Sequence, residues 1–167
     1  MTPIEQDIER IAFQERRLQF QSFDAEAAWT IGSRLKALVA ERGGAAVIDI
    51  QLHGQSLFFF AMPGTAPTNA DWIRRKRNTV TMFHRSSYAV GLSLKLEQAT
   101  LESKIGVDLR DYATHGGCFP IFIAGNVCIG TITVSGLPQR DDHEVVVRAI
   151  AEFLSVPLDE VALDIAG

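Results

Sequence analysis

Residues 115–143, HGGCFPIFIAGNVCIGTITVSGLPQRDDH, constrain the fold more than any other stretch of the chain. Two apolar runs meet at Gly125-Asn126, a pair suited to the positive backbone angles of a tight hairpin turn. The second run ends in Ser135-Gly136-Leu137-Pro138, and acidic residues follow at the start of a helical pattern. Two strands feeding a loop and a helix start set a fold fragment and mark a place where a ligand can be held. They do not name a reaction.

A second hairpin reads from Ala45 to Leu52 and from Gln55 to Met62, turning at His53-Gly54. Simple alternation puts Ile48, Ile50 and Leu52 with Leu57, Phe59 and Ala61, and it puts Phe58, Phe60 and Met62 on the side of Asp49. In the 115–143 hairpin the same rule groups Phe119, Ile121, Ile123 and Ile132 against Phe122, Val127 and Ile129. Sheets that are apolar on both faces need helices on both sides, so the predicted class is α/β with three layers, α/β/α.

The helices are marked by their caps and stripes. One runs near residues 3 to 17. Asp24 caps a second, whose stripe of Ala28, Ile31, Leu35, Leu38 and Val39 stops at Gly43-Gly44. After the loop Pro63 to Asn69, Asn69 or Asp71 starts a helix to about His84, and Ser86-Ser87 starts another carrying Tyr88, Leu92, Leu96 and Ala99. Residues 103–117 show no period and read as a wrap over a surface or a subunit neighbour. The last long helix is predicted from Asp141, with Asp141 and Glu144 as an acidic capping box, and Pro157 ends it.

The chain has 167 residues, 47% hydrophobic and 22% charged, which suits one soluble domain with a core. A net charge of −4 argues against nucleic acid or an anionic membrane surface as partner. No apolar run reaches the ~20 residues of a membrane span. The acids near the N-terminus do not suit a signal peptide, so a cytoplasmic location is expected. Cys118 falls opposite Thr133, too far along the hairpin from Cys128 for a disulfide, and the odd offset sends the two thiols to opposite faces. Two free thiols are expected.

Chemistry narrows the candidate site residues. Arg74, Arg75, Lys76 and Arg77 scatter around a helix at about 100° per residue. Lys76 lies four residues from both Trp72 and Val80, and two roles are open to it: snorkelling past Trp72, or holding an anionic ligand group. Asp141 and Asp142 disfavour phosphate at the helix start and read as cap and dipole partners. The four histidines and two cysteines lack zinc spacing, so no metal site is expected. A heme iron needs only one imidazole, and His115 and His143 flank the hairpin. Asp49, opposite Phe58 by simple alternation, has two readings, a carboxylate with a raised pKa for proton transfer or an acceptor of amide hydrogen bonds at a strand edge, and the second is favoured for want of a partner. Ser135 has no nucleophile-elbow context, so no hydrolase triad is supported.

With these residues read, the chain resembles the GlcG/HbpS-like superfamily, also labelled heme-degrading domain proteins, and within it the branch with a long N-terminal extension. The segments that carry the resemblance are AVIDIQLHGQSLFFFAMPGT, DWIRRKRNTVTMF and HGGCFPIFIAGNVCIGTITVSGLPQRDDHEVV. It implies a profilin-like three-layer fold with a five-stranded antiparallel sheet and a homo-oligomer. It also implies one domain over 1–167, with 1–44 as extension, 45–155 as core and 156–167 as tail. Heme is the cofactor it implies, for binding or degradation. The alternative reading is a non-catalytic oligomeric module that binds a small molecule or a protein. The expected ligand site gathers Lys76, His115, Gly116, Gly117, Ser135 and Gly136, with Asp142 and His143 at its rim. Leu137-Pro138-Gln139 replaces the glycine-rich loop of many relatives.

Overall fold

Local chemistry sets where each helix begins. In the computed structural model, which describes residues 1–164, Thr2 and Glu5 cap each other at the start of α1 (Pro3–Arg17). Asp24 accepts from the amide of Ala27 at 2.9 Å to start α2 (Ala25–Glu41). The hairpin of β1 (Val47–Leu52) and β2 (Gln55–Ala61) follows, then α3 (Pro67–Phe83), α4 (Ser87–Glu97) and the short α5 (Leu101–Ile105). Asn69 closes the start of α3 by accepting from the amide of Ala66, and Ser86 caps α4. The second hairpin is β3 (Cys118–Ile123) and β4 (Val127–Ser135), and α6 (Gln139–Phe153) and α7 (Leu158–Val161) complete the described chain. The predicted tail extends beyond residue 164 and in that part lies outside the described residues.

The strands form one antiparallel sheet in the order β2-β1-β4-β3. α2 and α6 pack on one face and α3 crosses the other. Four strands replace the five expected, and the outer edge of β3 shows why. Pro120 has no N–H to offer there. The Ser87 hydroxyl takes the amide of Cys118 at 3.1 Å, and Phe20 alone makes a parallel bridge, giving its amide to Phe122 and accepting from Ala124. Asp24 then starts α2, so the fifth position holds one residue.

Two bulges overturn the simple alternation. Between Ile50 and Gln51 the register shifts so that Leu57 has no partner, and Phe58 and Phe60 lie opposite Ile50 and Ile48. Phe58 is therefore buried, and Phe59, opposite Asp49, is 55% exposed. In the second hairpin Ile129 is the unpaired residue, so Val127 joins Ile123 and Cys128 joins Phe122. Both cysteines consequently share the face toward α3, and both are free.

That face is not apolar. Asp49, Thr133 and Cys118 form one cross-strand row, and Gln51, Thr131 and Pro120 form the next. Thr133 donates to the Cys118 sulfur at 3.0 Å, and burial pushes that thiol up to about 12. Asp49 is buried, but its partners are Arg77, at 3.0 Å, and the Ser56 hydroxyl rather than strand-edge amides.

Residues 106–117 wrap the chain's own α3. Arg74 and Arg75 donate to the carbonyls of Arg110 and Leu109, Asn78 to that of Asp111, and Thr79 to that of Ala113. α6 starts at Gln139, two residues before the expected Asp141, and there is no capping box: Asp141 pairs with Arg42 and Glu144 accepts from the amide of Leu163. Among the described residues no helix is long and apolar enough to cross a membrane.

Candidate functional site

The end of β4, the loop into α6, the residues before β3 and the N-terminal half of α3 converge on one cavity of about 280 Å³. Its floor is an ion pair. Lys76 on α3 donates to Asp142 at 3.2 Å and to the carbonyl of Val134 at 3.1 Å. Asp142, one turn into α6, also accepts from the amides of Gly136 and Leu137 at 3.3 and 3.0 Å. One carboxylate thus joins helix α3, the loop and the start of α6. Lys76 is 3% exposed and Asp142 2%, so Lys76 does not snorkel to solvent.

Burial acts on both partners. It raises the Asp142 carboxyl to about 6 against the pull of Lys76 and the two amides, and it lowers Lys76 against the pull of Asp142. Three charge-assisted hydrogen bonds to the carboxylate hold the ionised pair at neutral pH.

Close backbone approach explains the glycines. Gly117 has φ of 128°, and a Cβ there would come within 2.3 Å of the Val134 carbonyl and 2.9 Å of the Lys76 ammonium. Gly116 lies against Tyr88 and the Gln139 carbonyl, and Gly136 against Ala45. At the rim, His115 is exposed and meets the edge of Trp72 with ring centroids 4.8 Å apart. Partial burial, then the charges of Lys76 and Arg75, lower its pKa.

The structure thus brings Lys76, His115, Ser135, Gly136 and Asp142 to one cavity wall, with Gly116 and Gly117 directly behind. His143 is not among them. It is buried between Tyr88 and Phe119, with Nε2 2.8 Å from Gln14 Oε1. The Gln14 amide nitrogen donates to the carbonyl of Val161, so Oε1 must accept and His143 carries its proton on Nε2. Nδ1 is left as a buried lone pair without a partner, and burial lowers the imidazole to about 3. A helical signal was available: His143 precedes Val146, Val147 and Ile150 by three, four and seven residues, which places it on the buried stripe of α6.

The expected set lacks four lining residues, Asn69, Trp72, Leu137 and Gln139. Asn69, Trp72 and Lys76 fall at i, i+3 and i+7 of α3, a spacing that predicts one helix face. Gln139 had no local signal. Among the described residues no group of three or more His, Cys, Asp and Glu side chains is arranged to hold a metal ion.

The profile of the family described as "Haem degrading protein HbpS-like" matches residues 23–151. This chain belongs to the HbpS-like family. It is 59% identical over 161 residues to a "UPF0303 protein" of Azotobacter vinelandii, covering 96% of this chain and 97% of the relative. Among solved structures, the "Ybr137w protein" superposes with a TM-score of 0.82 at 31% identity, over 89% of this chain and 87% of that one. The "PduOC:Heme Complex" superposes with a TM-score of 0.65 at 18% identity, over 78% of this chain and 94% of that one, a likeness of fold. The HbpS-like match takes in the strands and all nine lining residues of the cavity.

Proposed function

We propose that this chain is a binding protein for a small, oxygen-rich anion, a carboxylate above all, held in the cavity beside Lys76, His115 and Asp142. The observation that carries this reading is a surplus of hydrogen-bond donors. The Asn69 carbonyl oxygen is taken by the amide of Ala66 and the Gln139 carbonyl oxygen by that of Gly116, so each side chain keeps its NH2 group to offer. The Trp72 indole, the Ser135 hydroxyl and the His115 ring line the same cavity. The one lining carboxylate, Asp142, is occupied by Lys76 and two amides. Binding, rather than covalent chemistry, suits this set: the lining holds no thiol, and among the described residues no histidine hydrogen-bonds Ser135.

The family description and the heme complex among its structural neighbours favour heme as a second reading. Enclosed heme does not fit the residues present. The cavity, at about 280 Å³, falls below the ~300–1,000 Å³ of pockets that enclose drug-sized ligands. His143 has its Nε2 engaged and is sealed in the core, and Lys76 is held by Asp142 instead of being free for a propionate. Within this cavity the histidine left to meet heme is His115 at the rim.

Titration with acetate, lactate and malonate, followed by backbone amide shifts, tests the first reading. Saturable shifts are expected at Gly136, Leu137 and Gln139, and Gln139→Ala is expected to weaken them about tenfold, the worth of a hydrogen bond to a charged group. A hemin titration run beside it separates the readings. A saturable Soret change abolished by His115→Ala, with no response to the three carboxylates, overturns the anion reading.

Self-assembly belongs to the same proposal. Trp29 and Phe59 are 66% and 55% exposed beside an apolar groove of about 630 Å³ between α2 and β2. Light scattering at micromolar concentration is expected to give a multiple of the subunit mass, and a single-subunit mass refutes assembly.

A further inference from the structure

We propose a second ligand site at the opposite end of α3, a cavity of about 350 Å³ that binds a small oxyanion between the free edge of the Arg77 guanidinium and the hydroxyl of Thr131. It does not rest on the reading of the first cavity.

The first observation is an orphaned hydroxyl. Thr131 is 2% exposed and its Oγ1 has no hydrogen-bond partner, yet it lines this cavity. Its neighbour one row along, Thr133, spends its hydroxyl on Cys118, whereas Thr131 sits opposite Pro120 and Gln51 and makes no such bond. A buried hydroxyl without a partner destabilises a fold, and a valine would fill the same space without that cost. A ligand oxygen in the cavity supplies the missing partner.

The second observation is the charge beside it. Arg77 uses Nη1 to hold Asp49 at 3.0 Å, and its Nε and Nη2 hydrogens make no bond among the described residues. Asp49 is fully engaged, because its other oxygen accepts from Ser56. The guanidinium is therefore anchored at one corner and presents its remaining N–H groups on a partly exposed side chain. A planar fork of this kind matches the oxygens of a carboxylate or a phosphate. His53 and His84 stand at the rim with further ring nitrogens, and among the described residues no Asp or Glu lines the cavity, which disfavours a cation.

The test follows amide shifts at Asn78, Gly130 and Thr131 while acetate or inorganic phosphate is added at constant ionic strength. Saturable shifts are expected with at least one of the two, separate from any at Gly136 and Gln139. A response to acetate alone assigns a carboxylate, and one to phosphate alone assigns a phosphate group. Thr131→Val is expected to melt at or above the parent temperature while binding about tenfold more weakly. Arg77→Lys, which keeps a cation for Asp49, is expected to lose binding while remaining folded. The proposal is overturned by Thr131→Val binding as tightly as the parent. It is equally overturned by shifts confined to the first cavity, or by no saturable shift with either anion.

Discussion

Lys76 and Arg77 are adjacent on α3, and each holds a buried carboxylate, but the two pairs are built differently. Lys76 and Asp142 are both closed from solvent, and every polar atom of the carboxylate is committed to the ammonium or to loop amides. Arg77 is 23% exposed and meets Asp49 through one corner of its fork. One helical step of about 100° sends the first toward α6 and the second toward β1. A compact ammonium suits the closed pair, where it also satisfies the Val134 carbonyl. A guanidinium suits the open one, where donors remain for a second task. A closed pair fixes the chain path, and an open pair leaves chemistry available.

The difference can be broken by substitution. Lys76→Met leaves Asp142 buried without its cation and is expected to cost about 3–5 kcal/mol at pH 7 in urea unfolding. The pH dependence carries a sign. The Asp142 carboxyl lies near 6 in the folded chain against an ordinary 3.8, so the folded state holds its proton more tightly than the unfolded state. Its contribution to stability is present below about pH 4 and is lost as pH rises through 6. Removing Lys76 raises that carboxyl further, so the deficit of the variant is largest at pH 8 and shrinks by pH 5. A deficit that grows toward acid contradicts the closed-pair description.

Arg77→Met comes second in size. Asp49 keeps the Ser56 hydroxyl, and solvent reaches a site whose cation was already partly exposed, so about 1–2 kcal/mol is expected. Equal losses from the two variants, measured by the same unfolding curves, would erase the distinction between the pairs.

Much of this was legible in the chain. Asp24 and Ser86 announced two helix starts, and His53-Gly54 and Gly125-Asn126 announced two turns whose residues all have positive φ. The bulges were not legible, because β2 is apolar at Leu57, Phe58, Phe59 and Phe60 alike, and a shift of one residue leaves no trace in hydropathy. The polar face under α3 was legible only in part: alternation sets Asp49 apart from Ile48 and Ile50 and puts Cys118 opposite Thr133, but joining them into one row needs the β1–β4 pairing, which no local signal gives. Lys76 stood out as the one cation on an apolar stripe, but its partner did not, since Asp142 is 66 residues away and a capping role accounted for it equally well. His143 flanks the hairpin in sequence, but the period of α6 turns it into the core.

The edge of β3 gives the sheet a direction of growth. Chemically, the sheet resembles a polymer with one chain end terminated. Pro120 withholds a donor, Ser87 satisfies Cys118, and Phe20 occupies the next position with two hydrogen bonds of 2.8 and 2.9 Å. The other end, β2, carries no such terminator along Gln55–Ala61 among the described residues. Any strand added to this sheet, from this chain or another, has one place to join.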